Sequence, residues 1–465
     1  MVCNSLCNCG RFSFAVFGDV LYFQSWENDQ VDNMIDDINN DKNVRFTFGV
    51  GDYSSESWKT KAEIDAKKIA LFDKFKNPVI TTLGDNDWSE PTGTYIPGTN
   101  LTQLEALNYM RDTWFNTGFS MGQLQTTIER QAGPTGTAGS TGTYGPTGTF
   151  YPENQRFVYG GIVFASFHTV GGADDKITRS SSIPSTSDRD AEWTARRQAN
   201  LDWINGTFDL AIAQNLKGIV FFTHASHWQR DVGAPTPLFR GNPYGFKNTP
   251  ANSPNISNYE IYYRTIQDRC LTFGDVTLEN IIWNDGVNPP VLQPRPVGGK
   301  QVLLIYGDDH RTTMDKPMVY PFRGFTRAGV TNTAYSPGFT GSVAGTTLTV
   351  SGISSSDRIL TGMGLTGPGF VGTPTVTRQI TIDPLETGGA GLKGTYLISS
   401  SQTVPLGRLA GITQNWEQRY GWDMPNYSEI QVPGSPRTGW MKINVDIHDP
   451  KLFSYQYGPV PRTYV

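Results

Sequence analysis

Three apolar segments near the start of the chain each end in Gly-Asp, and helical patterns separate them. The segments are FSFAVFGD, VRFTFGVGD and PVITTLGD, which end at Asp19, Asp52 and Asp85. Between them, NDQVDNMIDDINN and KTKAEIDAKKIALFDKF place apolar residues at helical spacing. Strands that alternate with helices predict parallel βαβ units in an α/β fold. Because ligands bind at the carboxyl ends of parallel strands, we expect the three carboxylates to converge.

Two later apolar strands also end in side chains that can bind a metal. KGIVFFTHASHW reaches His224, and KQVLLIYGDDH ends at Asp308 and His310. Each end taken alone has a simpler explanation, a turn for Asp and Gly or a structural role for a histidine. Five buried polar strand ends without a shared partner would be costly to desolvate, and a shared cation removes that cost. The set therefore predicts a metal site.

Two segments interrupt the α/β pattern. GPTGTAGSTGTYGPTGTF has glycine at every third position, as collagen does, and we interpret residues 133–150 as a flexible inserted loop rather than a triple helix. Residues 328–414 are rich in Gly, Thr and Ser, contain alternating runs such as TTLTVSGI, and predict an inserted all-β module. The remaining parts are a cysteine-containing tip (1–11), the main domain (12–327) and its C-terminal strands (415–465).

The charge balance narrows the classes of partner. The net charge is −5, the pI is about 5.6, and no cluster of Lys and Arg occurs. This argues against nucleic acid or an anionic membrane as the main partner. No apolar run has the length of a membrane span, and MVCNSLCNCGRFSFAVF lacks the pattern of a signal peptide. Cytoplasmic and virion-associated locations both stay open.

The order of these motifs resembles the calcineurin-like metallophosphoesterase superfamily. The chain is closer to a divergent branch, whose third motif reads Gly-Asp-Asn-Glu-Trp, than to the usual family pattern; the corresponding segment here is GDNDW. FAVFGDVLY, PENQRF, VLLIYGDDH and PGSPRTGWMKINVDIHDPKLFSYQ also look similar to that branch. The resemblance implies a four-layer α/β/β/α sandwich, with the all-β module inserted, and a two-metal site between loops.

The resemblance also implies a ligand set. Asp52 matches the metal-bridging aspartate, Asp85 stands where the family usually has an asparagine, and Asp308 replaces the first histidine of the last motif. The implied metal ligands, in motif order, are Asp19, Asp52, Asp85, His224, Asp308 and His310. The cofactors are divalent cations, two in number, and the oxygen-rich set does not distinguish Mn, Fe, Zn, Mg and Ca.

Two further positions depart from the family pattern. Leu21 occupies the place of the first-motif histidine, and the neighbouring Tyr22 is a candidate substitute ligand with packing as the alternative. Asn86 replaces the histidine that often serves as general acid, and an amide is not a useful proton donor at neutral pH. The candidate catalytic side chains are therefore Asn86 itself, Asp87, His168 and His227. The candidates for holding a substrate phosphate are Tyr22, Arg156, Arg311 and Lys316, with surface salt bridges as the alternative for the charged ones.

Together with the resemblance, these observations predict that the chain is a metal-dependent phosphoesterase that hydrolyses a phosphate mono- or diester. Leu21, Asn86 and the inserted segments favour the alternative, a catalytically weak or inactive protein of this fold with a structural or binding role in a virus particle or at a surface. A third hypothesis assigns adhesion or glycan binding to the β module. For partners, both self-association into a homo-oligomer and association with a virus particle stay open.

Overall fold

The computed structural model describes most of the chain, and all statements below concern the described residues. They are residues 10–22, 25–54, 59–91, 93–131, 150–175, 186–225, 254–283, 291–308, 313–315, 319–323, 338–353, 359, 363–382, 393–412, 416–435 and 438–459. The chain divides into two compact units. The first comprises Met1–Ser226, Gln301–Asp315 and Glu429–Val465, and the second comprises His227–Lys300 and Lys316–Ser428.

The structure is a mixed α/β fold with several sheets, as the alternating pattern predicts. The helices in the described part of the chain are α1 (Ser25–Asn40), α2 (Lys61–Leu71), α3 (Asp85–Trp88), α4 (Gln103–Trp114), α5 (Gly171–Asp174), α6 (Thr186–Ala213) and α7 (Pro254–Cys270). The strands there are β1 (Arg11–Phe17), β2 (Val44–Gly49), β3 (Val79–Thr81), β4 (Glu129–Gln131), β5 (Tyr151–Tyr159), β6 (Ile162–Ser166), β7 (Gly218–Phe222), β8 (Thr277–Trp283), β9 (Val291–Val297), β10 (Gln301–Tyr306), β11 (Thr313–Asp315), β12 (Val319–Arg323), β13 (Gly338–Ile353), β14 (Gly364–Thr366), β15 (Val376–Ile382), β16 (Gly394–Ile412), β17 (Trp416–Asp423), β18 (Tyr427–Gln431), β19 (Gly439–Asp446) and β20 (Phe453–Pro459).

The first unit contains a five-stranded sheet in the order β20-β19-β1-β2-β3. β1, β2 and β3 pair in parallel, which confirms the βαβ prediction for the start of the chain. The antiparallel strands β19 and β20 complete the sheet beside β1. Since β1, β2 and β3 run in the same direction, their Gly-Asp ends lie at one edge.

A seven-stranded sheet, β11-β18-β10-β7-β6-β5-β4, forms the rest of this unit. β7 lies between β6 and β10 and is parallel to both, so the strands that lead to His224 and Asp308 end on the same side. One buried apolar cluster combines residues of both sheets. At its centre the rings of Phe48 and Phe222 stack with centroids 3.5 Å apart. Burial of these aromatic side chains holds the two sheets against each other.

Helices cover the other side of each sheet. A second apolar cluster joins α1, α2 and α4 to residues of the five-stranded sheet, including Met34 and Ile38 of the predicted first helix. The long helix α6 packs on β5, β6 and β7. A capping box at Thr60 and Glu63 fixes the start of α2, and Thr102 and Glu105 do the same for α4.

The second unit contains the predicted all-β module. Within residues 328–414 the described elements are β13, β14, β15 and β16, which form a four-stranded sheet around buried residues such as Leu348 and Tyr396. The compact unit is wider than this segment, because it also includes α7, the hairpin of β8 and β9, and the β12–β17 pair.

Some predictions fall outside the described residues. They are the collagen-like repeat, the cysteines of the N-terminal tip, His227, His310, Arg311 and Lys316. In the part of the chain that the structure covers, no helix combines the length and the apolar character that crossing a membrane would require.

Candidate metal centre

Five of the six predicted metal ligands meet at one place in the first unit. Asp19 follows β1, Asp52 follows β2, His224 follows β7 and Asp308 follows β10, while Asp85 opens the short helix α3 after β3. Ligand atoms of Asp19, Asp52 and His224 lie within 4.8 Å of one another, and so do those of Asp85, His224 and Asp308. We call these four aspartates together with His224 the carboxylate cluster.

The backbone at three of the aspartates is in the left-handed region. The φ angles are 52° at Asp19, 57° at Asp52 and 75° at Asp308. Asp and Asn are the side chains that accept this region most readily, apart from glycine. The loops are fastened together by backbone hydrogen bonds, from Asp19 N to Gly51 O (3.0 Å) and from Val20 N to Asp52 O (2.9 Å). The sharp turns aim the carboxylates at a common point.

His224 is oriented by its own hydrogen bonds. Its Nδ1 lies 2.8 Å from the carbonyl oxygen of Val50, an acceptor, so Nδ1 carries the proton in that bond. Its Nε2 lies 3.0 Å from Asp85 Oδ1, 3.4 Å from Asp52 Oδ1 and 3.8 Å from Asp308 Oδ1. A backbone carbonyl on the far nitrogen is a common way to fix a metal-binding histidine. The imidazole therefore presents Nε2 to the carboxylates.

Glycines leave the space that the carboxylates occupy. A Cβ on Gly84 would lie 1.9 Å from Asp52 Oδ1, and one on Gly307 would lie 2.4 Å from Asp19 Oδ2. A Cβ on Gly171, at the start of α5, would lie 2.3 Å from Asp85 Oδ2 and 3.0 Å from Asp308 Oδ1. The glycines of two Gly-Asp pairs, Gly84 and Gly307, thus have a steric reason, since the backbone of one loop contacts the carboxylate of another.

Mutual electrostatics shift the titration of the cluster. Burial and the charges of Asp85 and Asp19 raise the pKa of Asp52 well above its usual range, against the opposing effect of His224. Burial alone would lower the pKa of His224, but the charges of Asp52, Asp19 and Asp308 and the hydrogen bond to Asp85 raise it well above its ordinary value.

Tyr22 and Asn86 both contact Asp52. The Tyr22 hydroxyl donates a hydrogen bond to Asp52 Oδ2 and lies 3.4 Å from Asp19 Oδ1. Burial and the charges of Asp52 and Asp19 raise the pKa of Tyr22, so the hydroxyl keeps its proton. From Asn86 it is the backbone N–H that donates to Asp52 Oδ1, at 3.0 Å. Both residues orient a predicted ligand.

Asp87 supports the loops of the cluster. Its carboxylate accepts backbone hydrogen bonds from Gly84 N (2.8 Å), Tyr53 N (2.9 Å) and Asp52 N (3.0 Å). The side chain thereby fixes the turn that carries Asp85 against the turn that carries Asp52. These contacts are those of a positioning residue, burial raises the pKa of Asp87, and its candidate catalytic role stays a prediction.

His168 and Arg156 have other partners. His168 is fully buried, its Nδ1 lies 3.1 Å from Glu153 Oε1, and its Nε2 accepts a hydrogen bond from Trp88 Nε1 at 3.2 Å. Burial lowers the pKa of His168, which fits a neutral ring held between these neighbours. Arg156 pairs with Glu129 on the adjacent strand. The structure therefore gives these two residues structural contacts.

Sequence reasoning missed a second set of buried charges next to α3. Arg111 binds the carboxylates of Glu153 and Glu192, and Arg196 binds Glu192, Asp174 and the His168 carbonyl. We call this set, Arg111, Glu153, His168, Asp174, Glu192 and Arg196, the buried ion-pair network. Its members lie on different helices and strands, and no local pattern links them. Gly171 was missed as well. The apolar run of β6 precedes it, but no recognisable motif follows it.

A scan against protein-family models and a search of curated proteins each found no match for this chain.

Proposed function

We propose that the chain is a metal-dependent phosphoesterase whose first unit is a four-layer α/β/β/α domain of the metallophosphoesterase type. Supporting this arrangement are the shared core of the two sheets, the apolar cluster under α1, α2 and α4, and the packing of α6 on β5, β6 and β7. The carboxylate cluster lies where strands of both sheets end, which is the usual place of a ligand site in such sheets.

The observation that carries the proposal is the composition of the carboxylate cluster. Carboxylate oxygens of four aspartates gather around one imidazole, and the ligand atoms form two groups, each within 4.8 Å, that share His224. Buried carboxylates without cations are strongly disfavoured, whereas divalent cations bind such oxygen and nitrogen donors well. The residues therefore fit divalent cations, with Asp19, Asp52, Asp85, His224 and Asp308 as ligands.

When bound, two such cations supply Lewis-acid activation of water and stabilisation of the negative charge that develops in phosphoester hydrolysis. The chain supplies the positioning. Val50 fixes the ring of His224, Tyr22 and the Asn86 backbone hold Asp52, and Asp87 fixes the two turns. Such preorganisation keeps the donors at the geometry that catalysis needs.

The proposal is tested by elemental analysis of the purified chain and by turnover of an aryl phosphate monoester and diester with added Mn²⁺, Zn²⁺ or Mg²⁺. We expect bound metal, and hydrolysis that disappears in Asp52→Asn and with EDTA. A folded chain with neither bound metal nor activity contradicts the proposal.

A metal-binding but inert protein is the second candidate. It is favoured by Asn86, whose amide is not an acid, and by Asp87, whose carboxylate is engaged by three backbone N–H groups. Metal bound at full occupancy without turnover of either ester would support a structural or binding role instead.

A further inference from the structure

A cavity of about 190 Å³ lies beside the carboxylate cluster. Its lining includes two lysines, Lys59 and Lys67, together with Trp114. Asp87 also forms part of the wall, and the same carboxylate accepts hydrogen bonds from Asp52 N and Gly84 N. The cavity and the turns of the cluster therefore share a wall.

The hydrogen-bond acceptors of this cavity are already in use. Asp87 accepts from three backbone N–H groups. Glu63, also in the lining, accepts from the backbone N–H and the hydroxyl of Thr60 in the capping box of α2. Neither carboxylate needs a ligand to satisfy it.

Donors of the cavity are in excess. Trp114 is 4% exposed, and its indole Nε1 is buried with no hydrogen-bond partner. The half-buried Lys67 makes no ion pair or hydrogen bond with the described residues, while Lys59 donates to Ser54 Oγ at 2.7 Å. Burial lowers the pKa of Lys67, the charges of Asp87, Glu27 and Glu63 oppose that effect, and the charge of Lys59 adds to it. A buried N–H without an acceptor is unfavourable, and two nearby ammonium groups repel each other.

We propose that this cavity binds an oxyanion, a carboxylate or phosphate group, that accepts hydrogen bonds from Lys67 and Trp114. An oxyanion satisfies the indole N–H and accepts a charge-assisted hydrogen bond from the Lys67 ammonium group. The side chains of Ile64 and Met110 in the lining contact any short carbon chain attached to it. The oxyanion is either a second charged group of the substrate or a free anion, and the substrate source rests on the proposed function.

The first experiment is isothermal titration of the full chain with inorganic phosphate after EDTA treatment, so that no metal binds the phosphate. We expect millimolar or tighter binding. Lys67→Met and Trp114→Phe should weaken it about tenfold and about fivefold, the loss expected for one charged and one neutral hydrogen bond. The control Lys61→Met removes an exposed lysine of the same helix that is outside the lining and should change affinity less than about twofold.

Absence of phosphate binding to the EDTA-treated chain overturns the proposal, and so does equal affinity of the Lys67→Met and Lys61→Met variants. Lys67→Gln is a second neutral replacement, and circular dichroism establishes that each variant is folded. A loss of affinity confined to the cavity variants supports the proposal even if the chain hydrolyses no ester.

The second experiment separates the two sources of the oxyanion. With metal added, hydrolysis of 4-carboxyphenyl phosphate is compared with that of phenyl phosphate. If the cavity holds a charged group of the substrate, Lys67→Met raises KM for the carboxylated ester about tenfold and leaves phenyl phosphate unchanged. Equal effects on both esters assign the cavity to a free anion. No turnover of either ester by the unmodified chain counts against the phosphoesterase proposal, while the titration still decides the cavity.

Discussion

Two groups of buried charges lie near α3, and they solve the problem of burial differently. In the buried ion-pair network, arginine guanidinium groups contact the carboxylates directly, as Arg111 contacts Glu153 with both side chains about 1% exposed or less. In the carboxylate cluster, four aspartates share one histidine. The first group carries its own countercharge, whereas we propose that bound cations neutralise the second. Burial of charge alone therefore does not mark a functional site.

The largest effect is expected in the network. Arg111→Met removes a fully buried cation and leaves Glu153 and Glu192 without it, so the free energy of unfolding should fall by about 3–5 kcal/mol. Arg11→Met, which breaks the exposed pair with Asp446, should change the free energy of unfolding far less. Urea unfolding of both variants measures the difference. Similar losses in the two would mean that the network is not a stabilising unit.

A steric change tests the cluster next. Gly171→Ala places a methyl group against Asp85 and Asp308, so we expect metal affinity to fall about 10–100-fold, as for disturbed ligand support elsewhere. Competition with a chelating dye measures the affinity. Gly206→Ala in α6 is the control. A Cβ at Gly206 would lie 3.5 Å from its nearest neighbouring atom, which is ordinary contact, and alanine favours the helix. Unchanged affinity in Gly171→Ala would place the metal elsewhere.

Removal of one negative charge should stabilise the metal-free chain when it is made in the carboxylate cluster and destabilise the chain when it is made in the buried ion-pair network. Asp19→Asn keeps the shape and tolerates the left-handed backbone, and it removes one of four like charges, so the EDTA-treated chain should gain about 1 kcal/mol of stability. Glu153→Gln, the same kind of change in the network, should destabilise instead. Urea unfolding with and without metal measures both. Destabilisation by both substitutions would remove the distinction between the groups.

The last prediction concerns pH. Burial lowers the pKa of His168 below 6.5, its value in the unfolded chain, and Glu153, Glu192 and Arg196 face it. The unfolded state then binds more protons in this window, so stability is complete above pH 6.5 and falls on acidification towards the lowered pKa, by at most about 1.4 kcal/mol per pH unit. His168→Gln should flatten that slope in chemical unfolding between pH 7 and 5. An unchanged slope would assign it to other groups.

The convergence of the cluster could be predicted because its signal is local and repeated. Asp19, Asp52 and Asp85 each follow an apolar strand and a glycine, and parallel pairing then brings their ends together without knowledge of any long-range contact. The same reasoning extends to His224 and Asp308 at the ends of β7 and β10. The bound metal itself stays a prediction.

Other features depend on contacts that no local pattern encodes. Asp87 was predicted as a candidate catalytic residue, but its partners are backbone N–H groups, one of them 35 positions away. Arg111 and Glu153 are 42 positions apart on a helix and a strand, and neither residue type nor spacing announces the pair. The extent of the second unit could not be predicted for the same reason. It includes α7 and β8, which precede the all-β module by many residues.

The position of the cluster between two sheets also bears on how the chain folds. Asp19, Asp52 and Asp85 come from the five-stranded sheet, and His224 and Asp308 come from the seven-stranded one. The backbone N–H of Asp308 donates to the Asp19 carboxylate across 289 positions of sequence. Contacts of such separation form late, because the intervening chain must first be ordered. Uptake of a spectroscopically visible ion such as Co²⁺ during refolding would therefore time the docking of the two sheets.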